Sequence, residues 1–558
     1  MSKTTLLPII GHFYKWEKQK ANEVFLRQPK GNTWKEITFA QAGQEARKIA
    51  TAMKTLGIQE GDHVGIYSKN CYHWILADLA IMMAGAVSVP YYASLPKKQF
   101  GEVLKLSDVK LVFVGKLEEW GDKYETLGDG VEMIRFPQYE ENAIVTEGHD
   151  WNALLATHLP QKENYLPNLS DLWTIKFTSG TTGTPKGVMH IHKTPSLIMK
   201  NELESNWIGI GKLKEVRCLS FLPLNHVGER LGLEVPCIVQ GGSISFAESL
   251  DTFANNLRET RPTMFFAVPR IWTKFYMGVI AKMPQKKLAR LLSIPFVSGI
   301  VKKKLLKAMG LDQLKIAATG AAITPEFLKK WYGKLGIHLI EAYGMTEVCG
   351  SMCNGVHLHT PPDSVGQAIP HGEVKIKEAT KEILMSSPYM MTGYYKHPEK
   401  TKEVLIDGWM HSGDRGTIDN NGFVRVIGRV NDAFKTSKGS YVVPNPLEEV
   451  ISNNQYVEQC CVVGLGIPQP ICLINISEEA QKVEHSVIEN SIQDTVKQLN
   501  ATVPNYEKIS TVIIQKDTWT EDNGILTPTL KVKRGTLDDR FGKDFLTWND
   551  STDKIIWS

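Results

Sequence analysis

Strand-like and helix-like segments alternate along most of this 558-residue chain. EARKIATAMKTLG, from Glu45, repeats its apolar positions with helical spacing and ends at a glycine, which predicts an amphipathic helix. DHVGIYSKN, from Asp62, follows as a strand, and WILADLAIMMAG, from Trp74, has the composition of a buried helix. Short β-rich runs such as VKLVFVG and TMFFAV are typical of strands buried on both faces of a parallel sheet. The pattern predicts an α/β fold with crossover helices.

The pattern changes near the C-terminal fifth of the chain. DNNG, from Asp419 to Gly422, is a turn signal, and the charged, strand-like passage FVRVIGRVNDAFKTSKG follows it. Next come the strand-like VEQCCVVGLG, a polar helix from about Glu478 to Leu499, and the strand-like STVIIQ, which together suit a small α+β domain. We predict a large α/β domain of several subdomains over residues 1–429 and a smaller α+β domain over residues 430–558.

Composition and charge describe an ordinary globular enzyme. The net charge of +4 is slight for this length and gives no reason to expect a nucleic-acid partner. The eight cysteines form no Cys-x-x-Cys pair, which argues against a zinc site or a disulfide scaffold and favours a reducing compartment. The N-terminal apolar patch of five residues is too short for a signal peptide. The longest apolar stretch, from Leu79, falls short of the ~18–20 residues that span a bilayer. We predict a cytoplasmic protein.

One segment is distinguished by its charge. Residues 281–310 contain eight Lys or Arg residues and no acidic residue, interleaved with Leu, Ile and Phe. Two interpretations stay open: a solvated helical face, or a basic amphipathic face that rests on an anionic membrane surface. The sequence also leaves open whether the protein is a homodimer.

The densest polar chemistry lies in FTSGTTGTPKGV, residues 177–188. It is not a Walker A loop, because Lys186 is preceded by Pro185 and followed by Gly187. Glycines that let backbone N–H groups point inward, hydroxyl donors and a lysine still make a phosphate cradle. The alternative is a flexible linker, but linkers rarely have a β-rich flank on each side.

SGTTGTPKG resembles the signature loop of the acyl-adenylate-forming (AMP-binding) enzymes: acyl-CoA synthetases, nonribosomal peptide adenylation domains and firefly-type luciferases. Further motifs of that family follow in the expected order: FLPLNHVGER (221–230), VPRIW (268–272), ATGAAIT (317–323), EAYGMTE (341–347), DGWMHSGDRG (407–416), IGRVNDAFKTSKG (427–439) and LTPTLKVKR (526–534). In their details the motifs look most like the long-chain fatty acyl-CoA synthetase branch. The resemblance implies an adenylation domain with a smaller, mobile C-terminal domain.

The same resemblance implies a two-step ligase that uses ATP, Mg²⁺ and coenzyme A. A carboxylate, here that of a long-chain fatty acid, lacks a leaving group; transfer of AMP from ATP supplies one, and a thiol then displaces AMP. The nucleotide-binding residues that the resemblance implies are Thr178, Ser179, Gly180, Thr181, Thr182, Gly183, Lys186, Gly320, Ala321, Ala322, Tyr343, Asp414 and Arg429. Within that set the loop from Thr178 to Lys186 is expected to hold the β- and γ-phosphates, Tyr343 to stack on adenine, and Asp414 with Arg429 to bind the ribose.

The catalytic residues implied by the resemblance are Lys531, Thr346 and Glu347. Thr346 is expected to contact the α-phosphate, Glu347 to hold Mg²⁺, and Lys531 to bring a cation to the α-phosphate and the attacking carboxylate. Gly320 is small and also leaves room for the acyl chain. His226 has two open interpretations, a substrate-binding residue that gates the acid site or a hydrogen-bonded structural residue. Asn431 occupies the family's hinge position.

Two departures from the family pattern bear on the second step. Asn431 stands where relatives usually carry Asp or Lys, and FKTSKGS has Lys438 and Ser440 where long-chain enzymes commonly read FKTSGGK. Adenylation followed by transfer to a carrier-protein thiol or an amine therefore stays open as an alternative to free coenzyme A. A kinase or ATPase and a non-catalytic nucleotide-binding module are the alternatives from other classes. The sequence does not give the acyl chain length.

Overall fold

The computed structural model describes residues 6–31, 33–178, 185–430, 432–477, 480–527 and 531–558. The chain divides into two compact units, Met1–Glu373 with Met385–Met410, and Val374–Leu384 with His411–Ser558. The predicted α/β architecture, with a large N-terminal part and a smaller C-terminal part, is confirmed. The domain limits proposed at residues 429 and 430 stay a prediction.

The strands of the described residues, in chain order, are β1 (Val24–Lys30), β2 (Thr33–Thr38), β3 (His63–Ser68), β4 (Val87–Tyr91), β5 (Val109–Gly115), β6 (Glu132–Arg135), β7 (His149–Asp150), β8 (Leu172–Thr178), β9 (Lys186–Ile191), β10 (Arg217–Ser220), β11 (Ser243–Phe246), β12 (Met264–Ala267), β13 (Ile316–Gly320), β14 (Leu339–Met345), β15 (Gly350–Asn354), β16 (Gln367–Ala368), β17 (Glu373–Lys377), β18 (Glu382–Ser386), β19 (Gly393–Tyr394), β20 (Leu405–Ile406), β21 (Trp409–Ile418), β22 (Val424–Arg429), β23 (Phe434–Lys435), β24 (Tyr441–Val442), β25 (Val457–Val463), β26 (Ile471–Ile476), β27 (Val512–Gln515) and β28 (Ile555–Trp557).

The α-helices of the same residues are α1 (Ile9–Gln19), α2 (Phe39–Thr55), α3 (Tyr72–Ala84), α4 (Lys97–Ser107), α5 (Trp151–Thr157), α6 (Lys193–Ser205), α7 (Val227–Glu229), α8 (Val235–Gln240), α9 (Phe253–Thr260), α10 (Pro269–Lys282), α11 (Gln285–Ser293), α12 (Val297–Met309), α13 (Glu326–Leu335), α14 (Pro398–Val404), α15 (Pro444–Ser452), α16 (His485–Thr502), α17 (Arg534–Phe541) and α18 (Phe545–Asn549). Short 3₁₀ turns cover Gly121–Thr126, Ile210–Lys212, Thr346–Val348, Ala480–Lys482 and Gly542–Asp544. A π turn, Arg230–Glu234, joins α7 to α8.

The first unit is built on an eight-stranded sheet in the order β19-β9-β8-β4-β3-β5-β6-β7. Strands β8, β4, β3, β5, β6 and β7 run parallel, while β9 and β19 are antiparallel to their neighbours. Helix α3 contacts β3, β4 and α2, and all its residues are buried. A helix that is apolar on every side must lie inside the fold, so the prediction of a buried helix from Trp74 is confirmed.

Two further sheets belong to the first unit. One has the order β12-β13-β14-β15-β16, with β12, β13 and β14 parallel and β15 and β16 antiparallel. The other has the order β10-β11-β1-β2. Helix α2 begins with a capping box, because the Thr38 hydroxyl accepts from the Gln41 backbone N–H and the Gln41 side chain accepts from the Thr38 N–H. This cap starts the helix at Phe39, before the Glu45 at which its apolar periodicity was recognised.

The second unit contains the sheet β25-β26-β27-β28, in which β25 is antiparallel and the others are parallel. Ile474, Ile488, Ile492 and Ile514, contributed by this sheet and α16, are buried in its core. The polar helix predicted from about Glu478 begins at His485 instead, because Ala480–Lys482 forms a separate 3₁₀ turn. Residues 478–479 lie outside the described part of the chain. The small domain is α+β, as predicted.

Candidate active site

The two ends of the predicted phosphate loop are fixed by a β-hairpin. Thr178 is the last residue of β8 and Lys186 the first residue of β9, and the two stand directly opposite each other in the antiparallel pair. The loop is therefore closed at its base by strand pairing. Five of its predicted phosphate-binding residues lie outside the described part of the chain: Ser179, Gly180, Thr181, Thr182 and Gly183.

Tyr394 connects this hairpin with Glu347. The Lys186 ammonium lies over the Tyr394 ring, 5.3 Å from its centroid. The Tyr394 hydroxyl donates to Glu347 Oε1 at 2.7 Å, and both side chains are buried. Burial, and then the Glu347 charge, raises the pKa of Tyr394 well above its ordinary value, so the phenol stays protonated and keeps donating. Strand β19 holds Tyr394 in place by pairing it with Val188 of β9.

The turn that carries Thr346 and Glu347 is also tied to β9. His190 Nε2 lies 2.7 Å from the Thr346 carbonyl oxygen. Burial lowers the pKa of His190 to about 4, so the ring is neutral and its Nε2–H donates to that carbonyl. The Met391 backbone N–H donates to the Glu347 carbonyl oxygen at 2.7 Å. The structure thus brings together Thr178, Lys186, Thr346 and Glu347 on neighbouring elements of one unit.

Gly320 is the last residue of β13, and Ala321 and Ala322 follow it, beside the strand β14 that carries Tyr343. Gly320 is paired with Ala342 of β14, and a Cβ at Gly320 would come within 2.6 Å of the Ala342 carbonyl oxygen. Only glycine therefore allows this approach of the two strands. Ala321 has a φ of 66°, an uncommon conformation for a non-glycine residue that marks a strained turn. This turn and the half-buried Tyr343 lie at the ends of adjacent parallel strands.

His226 lies at the start of α7, where its Nδ1 accepts a hydrogen bond at 3.0 Å from the Gly228 backbone N–H. It therefore caps this short helix, in agreement with the structural interpretation, and its assignment to the substrate stays a prediction. Glu229, three residues on, is fully buried and accepts from the Ser220 hydroxyl at 2.8 Å and the Phe221 N–H at 3.0 Å. Burial raises the pKa of Glu229 to about 8.

Sequence reasoning missed a buried charge cluster beside these residues. Arg230, in the π turn, pairs with Asp78 of α3 and with Glu234, whose Oε2 lies 2.7 Å from Arg230 Nε. Lys176 of β8 is fully buried, and no described residue hydrogen-bonds its ammonium. Burial, and then the Arg230 charge, lowers the pKa of Lys176 to about 7. The signal that could have revealed the cluster is a single aspartate in the middle of the otherwise apolar α3.

In the second unit, Asp414 and Arg429 face each other on paired strands. They are opposite in the β21–β22 register, and Arg429 Nε lies 3.1 Å from Asp414 Oδ1. Arg429 Nη1 also donates to the Ser412 carbonyl oxygen at 3.2 Å. The neighbouring Gly413 has a φ of 70°, and its N–H donates to Glu382 Oε1 at 3.0 Å. The carboxylate predicted to bind ribose is therefore held by a guanidinium on a rigid hairpin.

Lys531 belongs to the same electrostatic environment. Its backbone N–H donates to the Thr527 hydroxyl at 3.0 Å, and the next residue, Val532, forms an antiparallel bridge with Leu526. Desolvation, and then the Arg429 charge, lowers the pKa of Lys531, while Asp414 opposes the shift. The Lys531 side chain is exposed, so water screens these charges and the pKa shift corresponds to only a small free energy. The predicted hinge residue, Asn431, lies outside the described residues.

The carboxylate oxygens of Glu347 suit a magnesium ion that also binds substrate phosphates. Tyr394 donates to one carboxylate oxygen of Glu347, and no described residue donates to the other. Mg²⁺ usually takes one or two protein carboxylates together with phosphate oxygens and waters. Across the described ranges no group of three or more His, Cys, Asp or Glu residues is placed to hold a metal without such a substrate.

Comparisons with known proteins agree with this arrangement of the chain. Residues 13–395 match the family model described as AMP-binding enzyme, and residues 431–545 match its C-terminal domain. The long-chain-fatty-acid–CoA ligase FadD15 of Mycobacterium bovis is 26% identical, with 95% of each chain covered. The long chain acyl-CoA synthetase 5 of Arabidopsis thaliana is also 26% identical, with 90% of this chain and 85% of the plant protein covered.

Solved structures show the same fold. The anthranilate CoA ligase AuaEII, in complex with anthranoyl-AMP, superimposes with a TM-score of 0.77 at 20% identity, covering 97% of this chain and 99% of the other. The adenylation domain of a carboxylate reductase from Mycobacterium chelonae gives a TM-score of 0.80 at 19% identity, covering 97% and 91%. The family model alone covers more than half of the sequence. This chain belongs to the AMP-binding enzyme family.

Proposed function

We propose that this protein is an ATP-dependent fatty acid–CoA ligase whose acid substrate is a long-chain fatty acid. The observation that carries the proposal is the similarity over 95% of both chains to a ligase named for that reaction. The arrangement of the hairpin stem, Tyr394 and Glu347 supports the nucleotide half of the proposal, because it places a lysine and a carboxylate beside the base of a hydroxyl-rich, glycine-rich loop.

In the first step a carboxylate oxygen of the acid attacks the α-phosphorus of ATP. The bond from that phosphorus to the β-phosphate bridging oxygen breaks, so that acyl-AMP forms and pyrophosphate leaves. Lys186 and the loop that it ends neutralise charge on the β- and γ-phosphates, and the Thr346 hydroxyl orients the α-phosphate. When bound, Mg²⁺ would neutralise phosphate charge, and Glu347 is the residue that would hold it.

Asp414, Arg429 and Lys531 complete the proposed set. The Asp414 carboxylate accepts from the ribose hydroxyls, and Arg429 orients it. Lys531 supplies the cation that the carboxylate and the α-phosphate need while their negative charges approach each other. Burial and the neighbouring Arg429 charge lower the pKa of Lys531, and the Asp414 carboxylate opposes that shift and favours the charged ammonium.

In the second step a thiol sulfur attacks the carbonyl carbon of acyl-AMP and AMP leaves. Free coenzyme A is the proposed acceptor. Lys438 and Ser440 of the altered loop lie within the turn that the Thr436 N–H closes by donating to the Ser440 carbonyl oxygen at 2.9 Å. A carrier-protein thiol or an amine remains the competing acceptor for this step.

The decisive experiment separates the two steps. The purified full chain is assayed for acid-dependent exchange of radiolabelled pyrophosphate into ATP, over saturated fatty acids from short to very long, with benzoate and anthranilate as aromatic controls. The same acids are then tested for acyl-CoA formation on addition of coenzyme A. We expect exchange and product only with long aliphatic chains.

Each other outcome has a defined meaning. Exchange with the aromatic acids alone would replace the long-chain assignment. Exchange with fatty acids but no acyl-CoA would point to a carrier thiol or an amine as acceptor. Release of ADP or of orthophosphate without exchange would overturn the adenylation chemistry altogether.

A further inference from the structure

The segment 281–310, here called the basic segment, forms the surface of the first unit around α11 and α12. Its eight basic residues are Lys282, Lys286, Lys287, Arg290, Lys302, Lys303, Lys304 and Lys307, and all except the half-buried Lys302 are exposed. Within the described residues, none of these eight forms an ion pair with a carboxylate. The positive charge of the segment is therefore uncompensated.

The basic segment is anchored to the unit by its other face. Leu288 is buried, and Leu292, Val301 and Leu305 pack against the same hydrophobic cluster, which includes Trp272. These contacts fix which way α11 and α12 face. The positive charges therefore belong to a surface of defined orientation and not to a flexible tail.

Three large apolar side chains point away from that cluster. Ile294 is 42% exposed, Ile300 is 59% exposed and Phe296 is 94% exposed. Phe296 lies in the turn between α11 and α12 with a φ of 64°, so the turn itself presents the ring outward. A single exposed apolar side chain is ordinary, but three of them within seven residues, rimmed by basic residues, have the composition of an interaction site.

Exposed apolar and basic residues share one face of α12, and α11 has an exposed basic face of its own. In α12, Ile300, Lys303 and Lys307 are spaced by three and four residues, which places them on one side of the helix, and all three are exposed. In α11, Lys286 and Arg290 are spaced by four residues and are also exposed. Phe296 therefore stands between two basic helical faces.

We propose that the basic segment docks on an anionic lipid surface, with Phe296 inserted among the headgroups and the surrounding lysines contacting lipid phosphates. Such a combination of an apolar tip and a basic rim is what binds a protein to a membrane interface. None of the helices in the described ranges has the length and apolar composition of a membrane span, so this contact is peripheral.

Charge complementarity favours lipid over a second copy of the chain. A symmetric dimer through this face would set eight uncompensated positive charges against eight others, which is repulsive. A planar array of lipid phosphates instead supplies negative charge across the whole face and an apolar layer beneath it for Phe296.

The test measures binding of the purified full chain to sedimented vesicles. Vesicles of equimolar phosphatidylcholine and phosphatidylglycerol are compared with vesicles of phosphatidylcholine alone. We expect binding only to the anionic vesicles, and weaker binding at high salt, because screening shortens the range of the attraction from about 10 Å at 0.1 M to about 3 Å at 1 M salt.

Two variants locate the surface. Lys303→Ala/Lys304→Ala/Lys307→Ala is expected to weaken binding about 100-fold, from about fivefold for each lysine near an anionic surface. Phe296→Ser is expected to weaken it about tenfold, because the ring no longer leaves water. All four side chains are outside the core, so the thermal unfolding midpoint and the pyrophosphate exchange rate should not change.

A matched control removes the same charge elsewhere. Lys98→Ala/Lys105→Ala/Lys162→Ala changes three exposed lysines outside the basic segment and should bind anionic vesicles like the original chain. If the control bound anionic vesicles as weakly as the triple variant of the basic segment, net charge alone would explain the binding, and the proposal would be overturned. Equal binding to neutral vesicles, no binding to either, or a change of oligomeric mass in the basic-segment variants without a change in vesicle binding would also overturn it.

Discussion

Replacing Tyr394 with phenylalanine removes one hydroxyl and nothing else. The ring that lies 5.3 Å from the Lys186 ammonium remains, and so does the β19–β9 pairing that positions it. What is lost is the 2.7 Å hydrogen bond to Glu347 Oε1. Because Glu347 is only 8% exposed and Tyr394 only 5%, water does not easily replace the missing donor.

The size of the effect follows from this geometry. A hydrogen bond to a charged group contributes about 1.5–3 kcal/mol to stability, so we expect the variant to lose about 2 kcal/mol. Groups that orient a metal ligand typically change metal affinity or activity by about 10–100-fold. Since substrate phosphates would share the ion with Glu347, we expect the lower end, about a tenfold higher Mg²⁺ concentration for half-maximal pyrophosphate exchange.

Tyr395→Phe provides the control. The Tyr395 hydroxyl donates to Asp108 Oδ2, also at 2.7 Å, so this half-buried neighbour loses a hydrogen bond of the same length to a more exposed carboxylate away from Glu347. The exchange rate is measured against Mg²⁺ concentration at saturating fatty acid for both variants. An unchanged Mg²⁺ requirement in Tyr394→Phe, or the same increase in Tyr395→Phe, would refute the role given to Tyr394.

Two further predictions address Lys531 and Glu229. Lys531→Ala should slow pyrophosphate exchange about 100-fold, because it removes a group that stabilises charge in the transition state. The control Lys533→Ala should keep an exchange rate within about threefold of the original chain. Equal exchange rates in the two variants would refute the assignment of the catalytic role to Lys531. Glu229 has a folded-state pKa raised by burial from 4.5 to about 8, so its contribution to stability is complete below pH 4.5 and is lost as pH rises toward about 8. Glu229→Gln should therefore raise the urea midpoint near pH 8 but not near pH 4.5, and an equal change at both would contradict the shift.

The sequence predicted the elements whose pattern is local. The apolar run from Trp74 is α3, and VKLVFVG coincides with β5, because burial on all sides leaves a continuous apolar signature. The boundaries of the phosphate loop were also predicted, since Thr178 and Lys186 end and begin strands. The first residues of helices were less predictable. Helix α16 begins at His485, after a 3₁₀ turn that the spacing of apolar residues does not indicate.

Contacts between distant parts of the chain could not be predicted in this way. Tyr394 reaches Glu347 only because β19 pairs with β9, about two hundred residues earlier in the sequence. His190 reaches the Thr346 carbonyl oxygen through the same strand. Neither Tyr394 nor His190 lies in one of the motifs quoted above. Their role is to hold Glu347 and the Thr346 turn in position. Single-sequence motifs show which residues have chemistry to perform, but not which neighbours orient them.

The buried charge cluster shows why those orienting contacts matter. Lys176 directly precedes the FTSGTTGTPKGV stretch, and Arg230 is the last residue of the motif FLPLNHVGER, so the cluster includes or adjoins residues of two of the family's motifs. Exchanging a whole buried ion pair for apolar residues is often neutral for stability, whereas removing one partner costs about 3–5 kcal/mol. Asp78, Arg230 and Glu234 therefore add little to the total stability, but they strongly penalise any packing of α3 against the π turn that separates them.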